Sequence, residues 1–234
     1  LNVGSSNGKL SGLVSRFSRQ GSRSDGAPGR VVVASRPSAS VSETVVASKT
    51  LAHFLTLVFS RPAAELVDLG PVIGSNIAFL GDRIGCKIHV EDLYADLDRH
   101  ARQGELDRLP EFLGRRFTAI RDGSADAILC WDVFDYLAPP AAGVLAGELK
   151  RMLRPEGVLL GFFGARASDD TRYTKYFIED ESHLRHRFYP SACTRRWVLQ
   201  NRDINHLFAG LELFDSLLLK SGVREILFRK PILR

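Results

Sequence analysis

The sequence predicts an α/β domain: a mostly parallel sheet with helices on both faces, closed by a C-terminal antiparallel hairpin. Three observations carry this reading. Between residues 65 and 163, short apolar runs bounded by turn residues alternate with amphipathic stretches, the pattern of strands joined by crossover helices. The run Val158–Phe163 is wholly apolar, as a strand buried on both faces requires. Two further apolar stretches, 211–219 and 223–229, are separated only by Lys220-Ser221-Gly222, too short a link for anything but antiparallel neighbours.

Residues 1–39 are dominated by Ser, Gly and Arg with scattered single hydrophobes, too few to offset the entropy of ordering, and are expected to be a disordered tail. The domain is expected to span 40–234. Ser40 and Glu43 have capping-box spacing ahead of Val45, Val46, Leu51, Phe54, Leu55, Val58 and Phe59, which predicts a helix stopped by Arg61-Pro62. A strand at 65–69, a helix at 75–84 capped by Ser75 or Asn76, and a strand at 87–91 follow. Residues 92–118 read as helical or irregular, with Pro110 as a breaker. After the turn signal Asp122-Gly123-Ser124 comes the strand Ala125–Cys130, then a helix opened by Pro139-Pro140 and bearing Val144, Leu145, Leu149, Met152 and Leu153. Arg154-Pro155-Glu156-Gly157 ends it, and an insert at about 166–206 leads from the strand 158–163 to the hairpin.

The chain has 234 residues, 44% hydrophobic and 25% charged, which suits one domain of ordinary size plus a tail. Its apolar runs are far shorter than the roughly 20 residues of a membrane-spanning helix. The net charge of +5 resides in the tail, where Lys9, Arg16, Arg19, Arg23, Arg30 and Arg36 face Asp25 alone. The remainder is formally neutral, so no specific nucleic-acid partner is expected. Cys86, Cys130 and Cys193 are far apart and lack metal-ligand spacing; they read as reduced thiols of a cytoplasmic protein.

Glu65-Leu66-Val67-Asp68-Leu69-Gly70-Pro71-Val72-Ile73-Gly74-Ser75-Asn76 is a buried strand breaking at a glycine before a helix. Glu91 and Asp92 follow Gly70 by 21 and 22 residues, at the end of the next strand. In a βαβ unit that spacing sets a carboxylate beside the glycine turn, where it can accept hydrogen bonds from two ribose hydroxyls. A dinucleotide site also needs glycines for close approach to a pyrophosphate and for helix packing; counted from Gly70 those positions are Val72 and Ser75, which disfavours it.

These residues, with Asp122–Leu129 before and along the fourth strand, Leu153–Gly157 ahead of the fifth and the closing hairpin, resemble the class I S-adenosylmethionine-dependent methyltransferases, a Rossmann-like family, from about 43 to 230. The resemblance implies S-adenosyl-L-methionine as cofactor, Gly70 and Gly74 passing close to its methionine part, and Glu91 holding its ribose. It also implies that the segment after the fourth strand lines the reacting centre. The cofactor-binding set is therefore Asp68, Gly70, Val72, Gly74, Glu91, Asp92 and Trp131. The family loop is usually D-x-G-x-G-x-G, and this chain departs from it with Val72 at the middle glycine. The family's acidic residue after the third strand has no clean counterpart, Asp107 being oddly spaced.

Asp132 is the candidate base for an attacking hydroxyl or amine, against a bland reading as a turn former. Tyr173 and Tyr176 are candidate acceptor contacts in an insert placed to act as a lid, against a reading in which its aromatics pack on the sheet. His183 and His186 have helical spacing but no third ligand, and no metal is expected. The expected function is methyl transfer to a small-molecule acceptor. The alternative is a non-catalytic methyltransferase-like binding or scaffold protein with a degenerate cofactor loop.

Overall fold

The computed structural model describes residues 43–84, 87–169, 171–195 and 197–232. The tail 1–39, the Ser40 cap and Cys86 lie outside the described residues. The strands β2 (Glu65–Asp68), β3 (Lys87–Val90), β4 (Ala125–Trp131), β5 (Leu153–Gly164), β8 (Glu212–Leu218) and β9 (Val223–Arg229) form one sheet in the order β3-β2-β4-β5-β9-β8. The first four are parallel, while β9 runs antiparallel to both β5 and β8. β4 is buried along its whole length, and its alternation sends Ala127, Leu129 and Trp131 to one face and Ile128 and Cys130 to the other.

The first face is covered by α1 (Lys49–Phe59) and α2 (Gly74–Ile84), through Leu51, Phe54, Leu55, Val58 and Leu80. The other is covered by α3 (Leu93–Gln103), α4 (Leu109–Arg116), α5 (Pro139–Met152) and α6 (Asn201–Leu207). Between β3 and β4 the chain is α3, a 3-10 turn at Leu106–Arg108 and α4, so no strand intervenes. That explains why the adenine-side acid of the resemblance finds no counterpart: there is no strand end to carry it.

Three expectations need correction. Thr44–Ala47 is not the start of a helix but a strand, β1, its β-branched residues pairing antiparallel with β7 (His183–Pro190) in the register Val45↔Arg185. The helix begins eight residues later than expected, at Lys49, with Ser48 as its cap: Ser48 Oγ accepts from Leu51 N at 3.1 Å and donates to Glu225 Oε2 at 2.8 Å. Second, Asn76 does not cap α2. Its buried amide pairs like a strand with β6 (Arg172–Ile178), Nδ2 donating to the Tyr176 carbonyl at 2.8 Å and Oδ1 accepting from Ile178 N at 2.9 Å. Third, β6 and β7 join β1 in a separate antiparallel sheet, β1-β7-β6. His183 and His186 thus lie on a strand, where a spacing of three points them to opposite faces.

One buried carboxylate ties the amino ends of the parallel strands together. Asp126 accepts from Arg61 at 3.1 Å, Arg154 at 2.7 Å and the Glu65 backbone N–H at 2.9 Å. Asp126→Ala strands two guanidinium groups and an amide, so it should lower the unfolding free energy by about 2–4 kcal/mol in urea titration. A loss below about 1 kcal/mol would show that solvent takes over its role.

Candidate functional site

The site lies at the carboxyl ends of β2, β3 and β4, where open α/β sheets gather ligands. Asp68 closes β2 and is buried at 4% exposure. Its Oδ1 accepts from the Gly70 backbone N–H at 2.8 Å and from Trp131 Nε1 at 2.6 Å. Burial pushes its pKa up to about 6 against the lowering effect of those bonds, with the Asp92 charge adding to the rise.

Trp131 ends β4 at a register shift, with φ of +50°, a left-handed backbone rare outside glycine. The irregularity turns the indole onto the loop. A Cβ built on Gly70 would lie 2.6 Å from the indole nitrogen, so glycine at 70 is required by Trp131 itself. Gly74 starts α2 with open space where a Cβ would be, and Val72 stands out at 61% exposure. The indole also stacks on Tyr176, centroids 5.1 Å apart and planes 4° from parallel.

Glu91 follows β3, its N–H bonded to the Asp68 carbonyl at 2.8 Å, which brings both strand-end acids to the glycine turn. Its carboxylate is engaged. Arg116, the last residue of α4, donates from Nη1 to Oε2 at 2.5 Å and from Nη2 to the Glu91 carbonyl at 3.2 Å, and from Nε to Asp96 Oδ2 at 3.0 Å. Asp92 is the N-cap of α3, its Oδ1 accepting from Ala95 N at 3.1 Å.

Asp132 is nearly inaccessible and bound to two groups absent from the sequence reading: the Arg195 guanidinium and the Tyr94 hydroxyl both donate to it. Arg195 also lies 3.5 Å from the Asp135 carboxylate, and that carboxylate accepts from Gly164 N. Burial, reinforced by the Asp132 charge, pushes Asp135 up to about 7. Burial and the same charge raise the Tyr94 and Tyr136 hydroxyls well above the ordinary tyrosine range. The insert reaches this centre at both candidate tyrosines, Tyr176 on Trp131 and Tyr173 stacked on Tyr94 at 5.4 Å. Tyr176 is buried and Tyr173 partly so.

Beside Tyr136 opens a cavity of about 290 Å³ lined by Leu106, Asp107, Leu109, Ala138, Cys193 and Trp197, among others. Trp197 is 40% exposed, and its backbone N–H donates to the Asp135 carbonyl at 3.1 Å. No group of three or more potential metal ligands occurs among the described residues, and none of their helices is long and apolar enough to cross a membrane.

Residues 67–161 match the model of a family described as a methyltransferase domain. The chain is similar to the PH0226 protein of Pyrococcus horikoshii (15% identity, 78% of this chain and 88% of that one, TM-score 0.47). It is also similar to the Burkholderia thailandensis 1,6-didemethyltoxoflavin-N1-methyltransferase, solved with S-adenosylhomocysteine (20%, 78% and 77%, 0.46). A TehB-like methyltransferase of Corynebacterium glutamicum is a third (18%, 77% and 87%, 0.45). A comparison with curated proteins returned no match.

Proposed function

Because the chain belongs to the class I S-adenosylmethionine-dependent methyltransferases, enzymes whose cofactor is S-adenosyl-L-methionine, we propose that it methylates a small-molecule acceptor held beside Tyr136 and Trp197. The donor set suits the cofactor: Glu91 supplies ribose acceptors at the end of β3, and Asp68, Gly70, Val72 and Gly74 form the turn next to it, with Trp131 against the turn. When bound, the sulfonium supplies an electrophilic methyl group, so the protein has to orient the acceptor and, for a hydroxyl or ammonium, take its proton.

Among the residues of the chain, Asp132 is the proposed proton acceptor, with Arg195 and Tyr94 as the groups that must yield one of its oxygens. Tyr173 and Tyr176 are the proposed walls of the reacting centre, held by Tyr94 and Trp131. The acceptor's size class rests on one observation: the cavity of about 290 Å³ next to Tyr136 has an exposed aromatic wall and a single carboxylate at Asp107, room for a small molecule. A cytoplasmic location accords with the buried free thiol of Cys130.

Calorimetric titration with S-adenosylhomocysteine, with NAD as control, tests the cofactor half. Glu91→Ala should weaken S-adenosylhomocysteine binding by roughly 1.5–3 kcal/mol with the fold intact. Equal binding by the variant and the parent would remove Glu91 from the ribose site. Failure of the parent to bind would favour the scaffold reading. The acceptor half is tested by labelled cofactor and a metabolite extract, with Trp197→Ala raising KM more than it lowers kcat.

A further inference from the structure

The carboxylate assigned to the ribose already has a cation on it. We propose that Arg116 is a built-in competitor for the cofactor's ribose site, holding Glu91 in the resting protein and leaving it when the nucleoside binds. The inference rests on the reading that Glu91 faces the ribose. Arg116 is fixed at three points, on Glu91 Oε2, on the Glu91 carbonyl and on Asp96. A ribose diol pairs best with both oxygens of one carboxylate, and one of those oxygens already accepts a charge-assisted bond here at 2.5 Å. Little space remains around it, since the Glu91 side chain is 16% exposed.

The guanidinium also has somewhere to go. Arg116 lines a second cavity, of about 500 Å³, together with His100, Glu105, Arg108, Glu111, Phe112 and Arg115. Its side chain is 30% exposed, so rotation about the long stem moves it off Glu91 without disturbing α4. Asp96 shares its charge with Arg99 at 2.8 Å and would keep a cation after that rotation. Cofactor binding therefore includes breaking a charge-assisted bond, and the affinity of the resting chain is lowered by that amount. Arg116 lies 25 residues from Glu91, on the helix that stands where a further strand is absent, so the competitor belongs to this chain's own departure from the family pattern.

The test is calorimetric titration of the full chain, parent and Arg116→Gln, with S-adenosylhomocysteine, adenosine and 2′,3′-dideoxyadenosine. Arg116→Gln should bind the first two at least tenfold more tightly than the parent, with no gain for the dideoxy compound, which brings no hydroxyl to Glu91. Arg116→Lys, a point charge without the fork, should gain less, and it serves as the second variant if the glutamine form does not fold by circular dichroism. Unchanged or weaker binding of S-adenosylhomocysteine by the variants would overturn the competitor, weaker binding making Arg116 a positioning residue for Glu91. An equal gain for the dideoxy compound would overturn it as well. If the parent and both variants bind none of the three ligands, the cofactor-site reading fails and takes the competitor with it. Tight binding by all three proteins in the same measure removes only the competitor.

Discussion

Arg195→Met should lower the unfolding free energy at pH 8 by about 3–5 kcal/mol, the largest single effect expected outside the hydrophobic core. The reason is the company Arg195 keeps. It is the cation between two carboxylates that are almost wholly enclosed, Asp132 and Asp135, and it also lies 5.7 Å from the Tyr136 ring centroid and 3.5 Å from Thr174 Oγ1. Desolvation works against its charge, yet the surrounding anions hold it firmly protonated. Without it, a charge on Asp132 is left in a low-dielectric pocket, with the Tyr94 hydroxyl still donating to it. Asp135, whose carboxyl burial and the Asp132 charge push up to about 7, then takes up a proton, so the loss should shrink as pH falls from 8 to 5. Asp132→Asn should also be costly, by about 2–4 kcal/mol, because it removes the counter-ion of a partly buried guanidinium. The double variant should recover much of the combined loss, since it removes both charges together. Additive losses would mean that the two groups do not stabilise one another.

That expectation bears on catalysis. An Asp132 held by Arg195 and Tyr94 is an ion-pair partner first, and it becomes a proton acceptor only where an acceptor molecule displaces one of them. A kcat loss in Asp132→Asn is therefore interpretable only beside its stability and its cofactor affinity. A variant that is folded and binds S-adenosylhomocysteine like the parent, yet turns over slowly, isolates the chemical role.

The parallel core was legible because its signals are local. The apolar runs at Glu65–Asp68, Ala125–Trp131 and 158–163, the glycine break after Asp68, and the Lys220-Ser221-Gly222 link each lie within a dozen residues. What sequence reading missed is what depends on distant partners. Thr44–Ala47 joined the apolar stripe of the next helix because its true partner, β7, lies some 140 residues on, and nothing nearby marks it as a strand. In β6 and β7, arginines, lysines and histidines interleave with aromatics, which pack as cation–π pairs such as Lys175 over Tyr189 and Arg185 over Phe177. That mixture hides the two-residue period of a strand. The carboxylates of the site were visible by spacing, whereas Arg116 and Arg195 were not. Each contacts its acid across a long loop closure, 25 and 63 residues in sequence, and no local feature singles either out among the chain's other arginines.

Asp68→Asn should raise stability at pH 8 by about 1–2 kcal/mol and lose that gain by pH 4. The carboxyl is fully enclosed, and burial lifts its pKa from 3.8 to about 6, so the folded chain holds the proton more tightly than the unfolded chain does. Stability from this group is therefore present below about pH 4 and is lost as pH rises through about 6; by pH 8 the penalty is complete. Taken at about 1.4 kcal/mol per pKa unit, it amounts to roughly 2–3 kcal/mol. An asparagine oxygen can accept the same bonds from Gly70 N and Trp131 Nε1 with no charge to desolvate. Its amide, in turn, introduces two N–H donors into a buried site, and any left without an acceptor there removes part of the gain. Asp68→Ala separates the charge from the bonds: it leaves the Gly70 amide and the indole N–H without an acceptor and should cost about 2–3 kcal/mol at either pH. Urea unfolding at pH 4 and pH 8 measures all three proteins. A stability loss in Asp68→Asn at pH 8 would show that the Asp68 charge is stabilised where it lies, by more than the two donors seen on it.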